Sequence, residues 1–184
     1  MEPPDAGLSF TGRVESNMSF QLRAVAITVS DRCARGEQED LSGAALVALL
    51  RESNAEIIAT EVLPDDLEPL ASTLRIYAER PDVNLIVTTG GTGFSPRDNT
   101  PEATRAVIER EAPGLAEAMR AETLRQTPTA MISRAVCGIR ANVLIVNLPG
   151  SPRAVRECFA VIRPVLGHAV ALLAGGSHDE AKRA

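Results

Sequence analysis

Lysine is almost missing from this chain. Its one lysine is Lys182, near the end, and the other 18 basic residues are arginines. A Schiff base, a catalytic lysine and a lysine-dependent phosphate loop are therefore excluded from the body of the protein. Histidine is nearly as scarce: His168 and His178 stand apart, and His168, on an expected helix, reads as structural. The three cysteines, Cys33, Cys137 and Cys158, form no CxxC pair and no zinc spacing. A reduced, cytoplasmic setting is expected, with Cys137 and Cys158 in apolar runs as core residues. No run is long and apolar enough to span a membrane, and the N-terminus shows no signal-peptide pattern. The net charge of −5 argues against broad binding to nucleic acid or a membrane surface. An anionic ligand would have to be held by local geometry: arginine, helix N-termini or a metal.

What is present is ordinary globular material: 184 residues, 45% hydrophobic and 23% charged. Residues 1–21 and 175–184 lack any sustained period and are expected to be a flexible arm and tail around a domain spanning 22–174. Within that domain, strands are expected at Arg23–Ser30, Glu56–Leu63, Val83–Thr89 and Asn142–Leu148. Between them lie helical patterns, the first capped by Ser42 and the second by Asp65 or Asp66. Thr100-Pro101-Glu102 is a helix start with a hydroxyl cap, and Pro113-Gly114 breaks that helix before another from Leu115 to about Arg125. Ala130 to Arg140 fits either a short hairpin or an extended excursion. Ser151 caps a last helix that carries Val155, Phe159, Ile162 and Leu166. Alternating apolar strands and helices predict an α/β fold: three layers, with a mainly parallel central sheet and helices on both faces.

Such sheets bind ligands at the carboxyl ends of their strands. There this sequence places Ser30-Asp31, Pro64-Asp65, Asn147 to Ser151, and the stretch TTGGTGFSPRDNTPEAT from Thr88 to Thr104. That stretch is neither a P-loop, which needs Lys, nor a dinucleotide fingerprint, whose third glycine is absent. It can be a loop whose amides approach an anion, or simply a tight strand–helix turn. A phosphate there would meet loop amides, Arg97 and a helix N-terminus. Asp98 would repel it unless a cation such as Mg²⁺ intervened, with Asp65 as a second carboxylate. The plainer readings keep Asp65 as a helix cap, Asp98 as a solvated turn residue and Arg134 as a surface charge.

Seven blocks in fixed order carry a resemblance: TVSDR (Thr28 to Arg32), Glu39 to Gly43, LPD (Leu63 to Asp65), the glycine stretch, VIEREAPGLAEAM (Val107 to Met119), MISRAVCGIR (Met131 to Arg140) and LIVNLPGSP (Leu144 to Pro152). The chain resembles the G-domain family of molybdenum-cofactor biosynthesis, which includes the bacterial MogA and MoaB proteins and the plant and animal G domains. GTGFSPRD and EREAPG make it look closer to the plant and animal domains than to MoaB.

The resemblance implies a homotrimeric molybdopterin adenylyltransferase. Such an enzyme uses ATP, molybdopterin and Mg²⁺, releases pyrophosphate and hands its product to a molybdenum insertion enzyme. It implies catalytic and Mg²⁺-binding roles for Asp65 and Asp98. Substrate binding would fall to Thr89, Gly90, Gly91, Thr92 and Gly93, with Ser30, Asp31, Ser133, Arg134, Asn147, Pro149, Gly150 and Ser151. Two positions depart from the family: Asn99 replaces a common valine, and Ala141-Asn142 replaces a common Gly-Lys, for which Arg140 or Arg153 could substitute. The chemistry agrees, because a phosphate monoester is already a nucleophile and needs no general base. The alternatives are a carrier or scaffold module that binds molybdopterin without turnover, and a generic nucleotide-binding domain.

Overall fold

The computed structural model describes residues 21–175. The expected arm and tail therefore lie outside the described residues, except for Gln21 and Gly175. Six strands form one sheet: β1 (Arg23–Val29), β2 (Glu56–Leu63), β3 (Leu85–Thr89), β4 (Arg110–Glu111), β5 (Cys137–Arg140) and β6 (Val143–Leu148). Their order is β2-β1-β3-β6-β5-β4. The first four run parallel, β5 is antiparallel to β6, and β4 is antiparallel to β5. Six helices accompany them: α1 (Asp31–Ala34), α2 (Leu41–Glu52), α3 (Leu67–Ala78), α4 (Thr100–Arg105), α5 (Pro113–Leu124) and α6 (Pro152–Leu173). No helix among the described residues is long and apolar enough to cross a membrane.

The period-two alternation of the strands splits the interior into two cores. Ala24 and Ala26 of β1, Leu85 and Val87 of β3, and Leu144, Val146 and Leu148 of β6 face one side. There they meet Leu46 and Leu50 of α2, Met119 of α5, and Phe159, Ile162 and Leu166 of α6. Val25, Ile27, Val29, Ile86, Val143 and Ile145 face the other side, against Leu70 and Leu74 of α3 and Ala103 of α4. The central strands are buried on both faces, which is why they read as continuous apolar runs.

The local readings are corrected in several places. Asp40, not Ser42, caps α2: its carboxylate accepts from the Gly43 N–H at 2.7 Å. Neither Asp65 nor Asp66 caps α3 through its side chain. Asn99 holds the cap position of α4, so Thr100 is its first residue, and that helix already ends at Arg105. Pro113-Gly114 opens α5 instead of breaking a helix, as suits a proline at the first helical position. Between 130 and 140 the chain makes a 3₁₀ turn, Pro128–Ile132, and then β5. The β5–β6 hairpin turns through Ala141, at φ 49°.

The order β2-β1-β3 reverses direction at β1, so a crevice opens between the carboxyl ends of β1 and β3. It lies between Ser30 and Gly90.

Candidate functional site

The crevice is built from strand ends tied together by backbone. The Gly90 N–H donates to the Leu148 carbonyl at 3.1 Å, and the Thr89 hydroxyl donates to the Pro149 carbonyl at 2.8 Å. The Thr100 hydroxyl and N–H return to the carbonyls of Gly90 and Gly91 at 2.9 and 3.1 Å. Gly90 and Gly91 have φ of 103° and 61°. A Cβ on Gly90 would stand 2.2 Å from the Val29 carbonyl oxygen, and one on Gly91 would stand 2.5 Å from Thr100 Oγ1. These glycines are thus required by the protein's own packing, before any ligand enters.

Asp65 projects from the end of β2 into this crevice. Its Oδ2 accepts the Asp31 N–H at 2.8 Å, while Asp31 Oδ1 accepts the Asp65 N–H at 3.0 Å. Burial raises the Asp65 carboxyl above its ordinary value, and the negative charges of Asp31 and Asp98 add to the effect. Asp31 moves the other way, because hydrogen bonds from Arg97 hold its carboxyl down. Arg97 makes two bonds to Asp31, at 3.0 and 2.8 Å, and one to Asp66 at 2.9 Å. Its charge is already matched by carboxylates, so it is not the free phosphate-binding cation its position in the sequence suggested. Asp98 Oδ2 accepts the Ser95 N–H at 2.8 Å. Asn99, the departure from the family's valine, donates from Nδ2 to the Asp65 carbonyl at 2.9 Å and ties the loop to β2.

Arg134 and Asn147 hold the frame. The Arg134 N–H donates to the Thr92 carbonyl at 2.8 Å, and its guanidinium reaches the carbonyls of Gly93 and Asp98 and the carboxylate of Glu102. Asn147 is wholly buried. Its amide donates to the hydroxyls of Thr88 and Thr104 at 3.0 and 2.9 Å, and its oxygen accepts the Val136 N–H at 3.2 Å. One side chain therefore joins β3, α4 and the segment before β5. Ser30 accepts from the Cys33 N–H at 3.3 Å, and Ser151 accepts from the Ala154 N–H at 3.1 Å, as the caps of α1 and α6.

Two lobes open around the loop. The larger, about 410 Å³, is lined by Gly91 to Gly93, Asp98, one face of α5, Ser133, Asn147 and Pro149 to Ser151. The smaller, about 260 Å³, is lined by Ser30, Glu39, Asp40, Asp65, Gly90 and Asp98 among others, and is acidic. Both lobes share Gly91, Asp98 and Gly150. Asp31, Thr89 and Arg134 line neither lobe; Thr89 is buried, Asp31 is partly exposed, and Arg134 lines a separate, open cavity with Phe94 to Pro96, Asp98, Asn99 and Glu102. Asp40 and the α5 residues Ala116, Met119, Arg120 and Thr123 are wall residues that the sequence reading did not single out. The α5 residues recur at helical spacing, a signal that marks a buried face without separating cavity wall from core. Among the described residues, no three His, Cys, Asp or Glu side chains are grouped to hold a metal ion by themselves.

A doubly covered α/β sheet with a two-lobed crevice at its switch point defines a small-molecule-binding domain, and comparison with known proteins identifies which kind. Residues 25–168 match the family described as "probable molybdopterin binding domain", and the chain belongs to that family. It is 40% identical over 151 residues to the molybdopterin adenylyltransferase of Helicobacter pylori strain J99, covering 81% of this chain and 86% of that one. It is 44% identical over 149 residues to the molybdenum cofactor synthesis protein cinnamon of Drosophila melanogaster, spanning 80% of this chain but only 25% of that longer protein. The solved structure of the molybdopterin biosynthesis enzyme MoaB of Thermus thermophilus superimposes with a TM-score of 0.80 at 46% identity, covering 84% of this chain and 98% of that one. The expected leaning toward animal and plant domains and away from MoaB holds against the MoaB of Pyrococcus furiosus, at 30% identity, but not against that of Thermus thermophilus, at 46%, beside 44% to cinnamon.

Proposed function

We propose that this protein is a molybdopterin adenylyltransferase, transferring AMP from ATP to the phosphate of molybdopterin with release of pyrophosphate. The observation that carries the reading is the pair of lobes meeting at Gly91, Asp98 and Gly150. Two substrates seated in separate lobes would bring their phosphates together at that shared wall. An oxygen of the acceptor monoester attacks the α-phosphorus of ATP, the bridging α–β P–O bond breaks, and pyrophosphate leaves. The acceptor oxygen already carries charge, so no base is needed. What the protein must supply is position and compensation of negative charge.

Asp65 and Asp98 fit a magnesium ion. They are carboxylates on the acidic lobe, Asp65 senses the charge of Asp98, and Mg²⁺ is commonly bound by one or two carboxylates plus substrate phosphates. When bound, Mg²⁺ would offset charge on the transferring phosphoryl group. The backbone of Gly90 to Gly93 lines the junction, the frame of Arg134 and Asn147 fixes it, and the caps at Ser30 and Ser151 hold helix N-termini nearby. A homotrimer, a cytoplasmic setting and transfer of the product to a molybdenum insertion enzyme belong to the same reading. Sedimentation at micromolar concentration gives three times the chain mass on this view, and a monomer mass removes the trimer.

The test is pyrophosphate release. On this reading ATP yields pyrophosphate only when molybdopterin is also present. Tight molybdopterin binding with no pyrophosphate would make the protein a carrier, and release without the pterin would make it a generic nucleotide hydrolase.

A further inference from the structure

The larger lobe is lined by a single cationic side chain among the described residues, Arg120 of α5. The other arginines near the site are committed. Arg97 is held by Asp31 and Asp66, Arg134 by the loop carbonyls and Glu102, and Arg153 by Glu157 at 2.6 Å. Arg120 meets no carboxylate within salt-bridge distance among the described residues; its one hydrogen bond there runs from Nη1 to the Ala135 carbonyl at 3.0 Å. That bond fixes the guanidinium beside the 133–135 segment and leaves further N–H donors for the cavity. Nor can Arg140 stand in for the missing Gly-Lys contact, since its guanidinium is paired with Glu79 and Glu109 outside both lobes.

We infer that Arg120 recognises the phosphate monoester of the acceptor in the larger lobe. This rests on the proposed transferase reading and deepens it. The division follows from charge. The smaller lobe presents Glu39, Asp40, Asp65 and Asp98, which repel a bare anion and suit a triphosphate that arrives with its own divalent cation. The acceptor phosphate brings no metal and needs a cation from the protein. The larger lobe holds one, beside two carboxylates: Asp98 at the shared wall and Glu157, which is already paired with Arg153. A guanidinium bonded to a phosphate makes charge-assisted hydrogen bonds, stronger than neutral ones. Molybdopterin and ATP are both phosphorylated heterocycles, so the experiment must separate them.

The variants are Arg120→Met, which keeps the packing of the stem, and Arg120→Lys, which keeps the charge. Calorimetry on the full chain would use a 6-alkylpterin carrying a phosphate monoester, the same pterin without phosphate, and ATP with Mg²⁺. Arg120→Met should weaken the phosphorylated pterin by roughly tenfold or more, as expected for loss of a hydrogen bond to a charged group. It should leave the dephosphorylated pterin and ATP within about twofold, and Arg120→Lys should recover part of the loss. Equal weakening of both pterins would make Arg120 a packing residue. Selective weakening of ATP would place the triphosphate in this lobe, and no change would remove the role; each overturns the inference. If the wild-type chain binds neither pterin, the transferase reading is what fails. Titration with inorganic phosphate then decides for Arg120, whose replacement by methionine must still weaken phosphate binding.

Discussion

Asp31 and Asp65 clasp each other across two strands, each carboxylate accepting the other's backbone N–H, at 2.8 and 3.0 Å. The two acids nonetheless respond to pH in opposite directions. Arg97 lowers the Asp31 carboxyl, so its contribution to stability is present above the ordinary value of 3.8 and is lost as pH falls through its folded value. Burial raises the Asp65 carboxyl, so its contribution is full below 3.8 and is lost as pH rises through its folded value. At neutral pH the buried Asp65 carboxyl therefore costs stability, which a bound cation would offset.

Asp65→Asn keeps an oxygen for the Asp31 N–H and removes the charge. Its melting temperature should exceed that of the wild type at pH 7, and the difference should vanish below about pH 3.8, where both states of the wild-type group are protonated. Thermal melts across pH 3 to 8 check this. A melting temperature lowered at neutral pH would mean that the carboxylate is held for structure.

Gly91→Ala should destabilise the fold by about 2 kcal/mol or more, from the left-handed backbone at φ 61° and the 2.5 Å approach to Thr100 Oγ1. In a Thr100→Ala background the added cost of Gly91→Ala should shrink, since the atom it meets is gone. Denaturant titrations of the four proteins measure that coupling. A loss confined to ligand binding would instead mean that the glycine serves the ligand's approach.

Asn147→Ala should cost about 2–3 kcal/mol, because it strips partners from the Val136 N–H and from the buried Thr88 and Thr104 hydroxyls. The melting temperature should drop even without substrate. Weaker substrate binding at unchanged stability would instead make Asn147 a ligand contact.

The fold was legible wherever the local signals pointed to one structure. Buried parallel strands such as Leu85–Thr89 and Val143–Leu148 announce themselves as β-branched runs, and Ser151-Pro152 marks the start of α6 through cap and proline together. Reading failed where two local explanations share a sequence. Asp65 follows a strand and precedes a helix, so it looked like a cap; only the reciprocal bonds with Asp31, 34 residues away at the start of α1, show otherwise. Thr100 likewise looked like a cap, yet its hydroxyl is drawn to the Gly90 carbonyl. At the site, the glycines, Asp65 and Asp98 stood out as glycine and acidic residues in the loops that follow strands, whereas Ser133 was singled out only through the family resemblance. Arg120 did not: on an amphipathic helix an arginine reads as a solvated charge until the packing of α5 shows which face it shares.

The most direct test of the account is single-turnover transfer of α-³²P label from ATP to molybdopterin in excess Mg²⁺, with wild type, Asp65→Asn, Asp98→Asn and the double variant. The wild type should place the label on the pterin phosphate with one pyrophosphate released per transfer. Each single variant should bind molybdopterin at least as well but transfer on the order of 10² more slowly, a loss of roughly 3 kcal/mol of transition-state stabilisation. The double variant should be little slower than either single one, because both side chains would serve one cation. Near-normal transfer by a folded Asp98→Asn protein, or no label on the pterin with wild type, would contradict it.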